Sequence, residues 1–250
     1  GSVATLLRLA SIGPRTRFVQ VSTTSARTGA AGGGYSQSKW VAERMVGEAV
    51  KRGLDGAVLQ LGFVGPDRRT GAANVVDRVM RFVAGTIQLG VHHSSAGARV
   101  QLFPVEVCAA AIVQLSSPGG GDGAQATAKL QSVKVPIKQL MERVGSSPAL
   151  RGRRMHAVSR AVWQAELQQL SEQNPMFPLV SHYQEGLPGE RARDLESAND
   201  CPTGYGQAEV DRFVAFLQAS GQLGAVPDLP MLVRTSSLGK RQRSSADPPG

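Results

Sequence analysis

The chain is poor in cysteine and in aromatic residues, and it lacks long apolar runs. Its two cysteines, Cys108 and Cys201, cannot build a disulfide framework, so reduced thiols are expected. Aromatic residues make up 5% of the chain and are not interleaved with the basic residues, which argues against a nucleic-acid partner. Arg, Gln or Gly interrupts every apolar run before it reaches membrane-spanning length. No signal-peptide core is visible near Gly1 either, so we expect a cytoplasmic protein without a membrane partner.

The chain has an excess of basic residues and an apolar content typical of folded proteins. Lys and Arg number 28 against 19 Asp and Glu, and the formal net charge is +9. Hydrophobic residues make up 41% of the 250 positions, which is enough for a folded core. The basic residues are scattered along the chain. An acidic carrier protein or a phosphorylated cofactor therefore accounts for the charge at least as well as a nucleic acid.

A strand, a helix and a second strand are predicted to follow one another early in the chain. Residues 17–23 alternate and end in hydroxyl side chains, residues 35–51 are rich in helix formers, and residues 56–65 are mostly apolar. This order predicts a βαβ unit of a parallel sheet with a right-handed crossover. Ligands bind such sheets at the carboxyl ends of the strands, where Thr23 and Gly62 should lie.

Tyr35 and Lys39 stand four residues apart at the start of the predicted helix, so their side chains should share one face. An ammonium group beside a phenol favours the phenolate and makes the phenol a better proton donor. Such a donor suits a reaction in which a carbonyl oxygen gains negative charge. The same spacing also occurs in ordinary amphipathic helices, and by itself it does not decide between the two interpretations.

The hydroxyl of Thr23 at the end of the first predicted strand, followed by Tyr35 and Lys39 on the predicted helix, resembles the catalytic triad of the extended short-chain dehydrogenases/reductases. Further segments resemble the thioester reductase domains that end some nonribosomal peptide and polyketide synthases, and the similar domains of carboxylic acid reductases. Those segments follow in the family's order from about residue 3 to residue 226. They are residues 62–65, 69–71, 74, 77, 85–90, 102–109, 163–167 and 174–179.

The resemblance implies an α/β fold, namely a partial Rossmann-like doubly wound parallel sheet of the extended type. A small, mostly helical C-terminal substrate subdomain is expected beside it. Residues 1–115 are expected to form the C-terminal part of the nucleotide-binding domain, with a substrate-side insertion at 66–100. Residues 116–227 are expected to form the substrate subdomain, and residues 228–250 a disordered tail.

The Gly-rich turn that cradles a pyrophosphate in dinucleotide-binding folds is not found in the sequence. The two Gly-rich candidates, residues 29–32 and 119–123, are interpreted as loops. The N-terminal half of the fold is therefore expected to be missing, and the chain is interpreted as a fragment. By itself it is expected to be inactive and to bind NADPH poorly.

The resemblance also implies a reaction. Hydride passes from NADPH to a thioester carbonyl on the phosphopantetheine arm of an acyl or peptidyl carrier protein, and the product leaves as an aldehyde or, after a second round, an alcohol. Tyr35 donates the proton, Lys39 holds the nicotinamide ribose, and Thr23 hydrogen-bonds the developing oxyanion. No metal is expected. The matching cofactor-side positions are Gly62, Phe63 and Val64, and the matching substrate-side positions are Thr24 and Asn74.

Several positions depart from the family pattern or have ordinary explanations. Gln60-Leu61 stands where Arg-Pro is usual, and Glu106 stands where Asp is usual. Thr24 also suits a strand-end cap, and Asn74 suits a helix cap. The helix that begins after Asn74 is expected to end around Gly85. Two other functions stay open: a fatty acyl-CoA reductase or sugar-nucleotide epimerase with the same triad, and a non-catalytic fragment that acts as an interaction module.

Overall fold

The computed structural model describes residues 2–12, 16–31, 33–93, 98–117, 133–188 and 204–224. The chain divides into two compact units. The first contains residues 1–65, 101–133 and 195–202, and the second contains residues 66–100, 134–194 and 203–250. The boundary expected at residue 115 stays a prediction. The glycine loop at 119–123, Cys201 and the expected tail at 228–250 lie outside the described residues.

Helices and strands alternate, as expected for an α/β fold. The helices are α1 Ser2–Ile12, α2 Gly34–Lys51, α3 Arg78–Leu89, α4 Val105–Ser116, α5 Ile137–Gly145, α6 Arg160–Gln168, α7 Val180–Glu185 and α8 Gln207–Ala219. The strands are β1 Phe18–Thr23, β2 Gly56–Leu61, β3 Phe63–Gly65, β4 Val91–His92, β5 Arg99–Pro104, β6 Val133–Pro136 and β7 His156–Ala157. Short 3₁₀ helices span Thr24–Ala31, Pro148–Leu150 and Phe177–Leu179. None of the described helices combines the length and the apolar character that crossing a bilayer requires.

The first unit is built around the predicted βαβ unit. β1 and β2 pair in parallel, with Phe18 opposite Gly56 and Thr23 opposite Leu61, and α2 joins them. Alternate residues of β2 enter different cores, because successive side chains of a strand point to opposite faces. Val58 packs with Leu7 and Val46, and the other core consists of Ala57, Leu59, Leu61, Phe103, Cys108 and Leu115. β2 is therefore covered on both faces, as is usual in parallel sheets.

The strand expected over residues 56–65 is two strands. β2 ends at Leu61, and β3 pairs in parallel with β5, with Phe63 opposite Leu102. A Cβ at Gly62 would lie 2.7 Å from Cε2 of Phe103. The chain therefore leaves the first ladder where an aromatic ring approaches the backbone, and a larger residue at Gly62 would displace that ring.

The second unit corrects the expected end of the helix at Gly85. α3 continues through Gly85 to Leu89 and stops at Gly90, which adopts the left-handed conformation with φ 72° and donates its N–H to the carbonyl of Thr86. A Cβ on Gly85 would lie 2.5 Å from Oδ1 of Asn174. The amide of Asn174 in turn donates to the Gly85 carbonyl at 3.0 Å. Gly85 thus permits close packing inside the helix, and Gly90 is the residue that ends it.

Three aromatic rings pack together in the core of the second unit. The ring centroid of Phe82 lies 6.0 Å from that of Trp163 and 6.1 Å from that of Tyr183. The Tyr183 hydroxyl donates to the carbonyl of Arg78 at 2.7 Å. β4 pairs in parallel with β7 in the same unit, with Val91 opposite His156.

One turn of the second unit is packed directly against a helix backbone. The carboxylate of Asp67 accepts hydrogen bonds from the backbone N–H and the hydroxyl of Thr70 and from the backbone N–H of Arg69, and these bonds lower the pKa of Asp67. The turn ends at Gly71, which has φ 78°. A Cβ at that position would lie 2.2 Å from the backbone oxygen of Arg212 in α8. Gly71 therefore meets two demands, a left-handed backbone and space for a neighbouring chain.

Candidate active site

The hydroxyl of Thr23 lies at the carboxyl end of β1. Its Oγ1 accepts the backbone N–H of Ser25 at 3.3 Å and lies 3.1 Å from the Ser25 Oγ. Thr23 is half-buried. Because the backbone N–H occupies a lone pair of the Thr23 oxygen, the hydroxyl proton of Thr23 can be donated elsewhere.

Residues 29–31, part of a segment that the sequence predicted to be a loop, belong to a 3₁₀ helix. Thr24 begins a 3₁₀ helix that runs to Ala31, with a kink at Gly29, where φ is 57°. The hydroxyl of Thr28 donates to the carbonyl of Ser25 at 2.8 Å, and this local bond helps to hold the turn. The assignment of Thr24 to the substrate side stays a prediction.

Tyr35 and Lys39 lie one turn apart at the start of α2. Nζ of Lys39 is 6.0 Å from the centroid of the Tyr35 ring, and it donates to the carbonyl of Val21 in β1 at 3.2 Å. The Tyr35 side chain is 65% exposed. The lysine is thus anchored to the strand, and the phenol beside it is accessible to another molecule.

The residues expected on the cofactor side follow β2. Gly62 comes one residue after Leu61, which is opposite Thr23 in the ladder, so Gly62 and Thr23 belong to the same carboxyl edge. Phe63 and Val64 are half-buried and lie in β3. Their contact with a cofactor stays a prediction.

Asn74 belongs to the second unit and is not the helix cap that the sequence allowed. Its Oδ1 accepts the N–H of Val76 at 3.3 Å, so it caps a turn before α3. The helix cap is Asp77, whose carboxylate accepts the N–H of Val79 at 2.8 Å. Burial raises the pKa of Asp77, although the backbone hydrogen bonds oppose this effect. The substrate role of Asn74 stays a prediction.

One group of polar side chains beside this edge received no role from the sequence. The hydroxyl of Ser22 donates to Oε1 of Glu43. Nε2 of Gln60 lies 3.0 Å from each carboxylate oxygen of Glu43. Two features of the sequence could have indicated this group: Glu43 continues the four-residue spacing of Tyr35 and Lys39, and Gln60 is one of the departures from the family pattern.

Cys108 is the thiol that the structure describes, and its surroundings do not suit a nucleophile. It is 3% exposed in the core beside β2. Burial, followed by the negative charge of Glu106, raises the pKa of the Cys108 thiol to about 11. The thiolate is the reactive form of cysteine, so Cys108 is a packing residue. Among the described residues, no three His, Cys, Asp or Glu side chains are grouped so as to hold a metal ion.

We expect Cys108 to react slowly with an alkylating reagent in the folded chain. With a pKa of about 11, the thiolate is about 0.1% of the thiol at pH 8, and burial restricts access further. The rate is measured by mass spectrometry in a Cys201→Ser variant, which leaves one thiol. The same variant in guanidinium chloride is the control and should react at the rate of a free cysteine. Equal rates in the two states would contradict the buried assignment.

Ionisation of Cys108 should make the folded state less stable as the pH rises. Because the folded pKa lies above the unfolded value of about 8.5, the contribution of Cys108 to stability is complete below that value. It is lost as the pH rises from there towards about 11.

Comparisons with known proteins agree with the fold. The NAD-binding family described as male sterility protein matches residues 22–112. The L-2-aminoadipate reductase large subunit of Eremothecium gossypii is 32% identical over 171 residues, which are 67% of this chain and 12% of that protein. The L-2-aminoadipate reductase of Saccharomyces cerevisiae is 27% identical over 213 residues, which are 76% of this chain and 15% of that protein.

A solved structure extends the likeness over almost the whole chain. The crystal structure of the terminal R domain from the myxalamid PKS-NRPS biosynthetic pathway superposes with a TM-score of 0.69 and 26% identity, covering 90% of this chain and 64% of that one. The chain therefore spans a small part of its curated relatives and about two thirds of this solved domain.

Proposed function

We propose that the native polypeptide of this chain releases carrier-bound acyl or peptidyl thioesters by NADPH-dependent reduction. The chain belongs to the thioester reductases of the extended short-chain dehydrogenase/reductase superfamily. The observation that carries the proposal is the contact of Lys39 with both Tyr35 and β1, the strand that ends at Thr23. Lys39 is anchored on the β1 carbonyl of Val21 beside an accessible phenol. The Thr23 hydroxyl ends the same strand.

The groups at this edge fit the ribose end of a nicotinamide cofactor. An ammonium and a phenol side by side offer donors that suit two neighbouring ribose hydroxyls, and Lys39 has N–H groups beyond the one that binds Val21. NADPH supplies the hydride to the thioester carbonyl carbon when it is bound. Lys39 holds the ribose, and Gly62, Phe63 and Val64 flank the nicotinamide. The positive charge of the chain, +9, supports the phosphorylated cofactor.

The chain's own residues act on the carbonyl oxygen. As the oxygen gains negative charge, the Thr23 hydroxyl donates a hydrogen bond to it, and a fixed donor of this kind lowers the barrier. Tyr35 transfers its proton to the same oxygen and gives a hemithioacetal. The carbon–sulfur bond then breaks, the hydroxyl proton leaves the oxygen, and the thiol of the phosphopantetheine arm and an aldehyde are released. A second reduction of the aldehyde gives the alcohol.

The substrate is presented by a carrier protein in this proposal. Carrier proteins are acidic, and the excess of basic residues in this chain favours their approach. Thr24 and Asn74 keep the substrate-side assignment that the resemblance implies.

The proposal is tested with the native polypeptide that contains this chain. Purified enzyme, a carrier domain loaded with an acyl thioester and NADPH are mixed, and NADPH consumption and trapped aldehyde are measured together. We expect equal amounts of oxidised cofactor and aldehyde, and slower turnover with NADH.

Parallel reactions separate the alternatives. Faster reduction of acyl-CoA than of the carrier thioester would favour a fatty acyl-CoA reductase, and conversion of a sugar nucleotide without thioester reduction would favour an epimerase. Stable binding of the carrier with no turnover of any substrate would favour an interaction module. Each of these three results contradicts the proposed function.

A further inference from the structure

Glu43 joins the helix of the candidate site to both strands of the βαβ unit. It lies one turn beyond Lys39 on α2. It accepts the hydroxyl of Ser22 from β1 and the amide of Gln60 from β2. Ser22 and Gln60 are directly opposite each other in the parallel ladder. One carboxylate therefore binds both strands at a single level of the sheet.

The chemistry of the three groups is well matched. An ionised carboxylate only accepts hydrogen bonds, so the nitrogen of the Gln60 amide, not its oxygen, must face Glu43. Both contacts of that nitrogen measure 3.0 Å. Hydrogen bonds to a charged acceptor are stronger than neutral ones, and Ser22 is 5% exposed, so water competes little for this end of the network.

The network lies one residue before the edge where chemistry is proposed. Ser22 and Gln60 pair one step before Thr23 and Leu61. Val21, which accepts from Lys39, lies one step further back. Lys39 and Glu43 thus fix α2 to the sheet at two points one helical turn apart. Two fixed points determine how far the helix is rotated about its axis and shifted along it.

We propose that Glu43 is a positioning residue, which holds α2 in the rotation and depth that present Tyr35 and Lys39 at the carboxyl edge. This inference rests on the proposed function. Glu43 does not touch the reacting atoms. It acts through Tyr35 and Lys39, and a displacement of about 1 Å at the reacting groups can cost about 10²-fold in rate.

The first test is Glu43→Ala in the native polypeptide. We expect kcat for aldehyde formation to fall by about 10²-fold with little change in KM for the carrier thioester, because substrate contacts are not removed. The matched control is Glu48→Ala on the same helix. Glu48 is exposed and pairs with Lys51, so its removal should leave kcat unchanged. Circular dichroism confirms that both variants are folded under the assay conditions.

A second measurement separates positioning from general stability. In a Tyr35→Phe background, Glu43→Ala should have a smaller further effect on kcat than in the wild type, because one of the two groups that it positions has been disabled. A variant that merely lowers the amount of folded enzyme would reduce activity by the same factor in both backgrounds. Equal factors, or full activity of Glu43→Ala, would overturn the proposal.

A charge swap tests the hydrogen bonds between Glu43 and Gln60 without any assay of activity. Gln60→Glu places two carboxylates face to face and should lower the melting temperature, and adding Glu43→Gln should restore it because the amide and carboxylate have exchanged places. Absence of thioester reduction in the wild type would contradict the proposed function and the positioning role together. If the melting temperature does not recover in the double variant, the pairing of Glu43 with Gln60 is contradicted.

Discussion

Aldehyde formation is expected to fall by about 10²–10⁴-fold when Tyr35 is replaced by phenylalanine, which is the usual contribution of a positioned general acid. The substitution removes only the hydroxyl that would protonate the carbonyl oxygen. Lys39 keeps its bond to Val21, so binding of the cofactor ribose should persist. Single-turnover reduction in the native polypeptide and an NADPH titration by fluorescence measure the two effects separately.

The same substitution at a buried tyrosine is the control for stability. Tyr35 is 65% exposed and Tyr183 is 2% exposed. Tyr183→Phe removes the donor to the Arg78 carbonyl and should lower the free energy of unfolding by about 1 kcal/mol. Tyr35→Phe should leave that free energy unchanged. Turnover of Tyr35→Phe at the wild-type rate would remove Tyr35 from the mechanism.

Gly71→Ala should be among the most destabilising small substitutions in the second unit. A Cβ there would lie 2.2 Å from the carbonyl oxygen of Arg212, and no side-chain rotation can relieve a clash with a backbone atom. We expect a loss of about 3 kcal/mol, at the upper end of overpacking effects. Urea unfolding of the chain, followed by circular dichroism, measures it.

Gly152→Ala isolates the conformational part of that loss. Gly152 has φ 85°, close to the 78° of Gly71, but no atom lies within 4 Å of its added Cβ. Only the cost of a left-handed alanine remains, which is about 1 kcal/mol. If both variants lose the same stability, the contact with Arg212 does not account for the loss at Gly71.

The regular elements of the site were predictable because their signals are local. Alternation over residues 17–23 and the four-residue spacing of Tyr35 and Lys39 depend on neighbours in the chain, and β1 and α2 occur where those patterns predicted them. The end of the helix was wrongly predicted at Gly85 because the reason for this glycine is not local. Gly85 leaves space for Asn174, which is far away in sequence and is not revealed by a local pattern.

The break at Gly62 and the network at Glu43 were missed for the same reason. A side chain at Gly62 would meet the ring of Phe103, which is remote in sequence. Glu43 acquires its partners only when β1 and β2 lie side by side, which brings Ser22 opposite Gln60. The motifs could therefore name Thr23, Tyr35 and Lys39, but the contacts that hold their helix in place required the paired strands.

The parallel pairing of β1 with β2 also bears on how the chain reaches its folded state. The strands are separated by α2, a helix of 18 residues, so their pairing closes a long loop. The chain loses conformational entropy when this loop closes, before the hydrogen bonds of the ladder can offset that loss. A helix forms from contacts within a few residues and does so much faster. Val46, fully buried against Val58, ties this helix to the later strand. We therefore expect strand pairing in the first unit to be slower than the formation of α2.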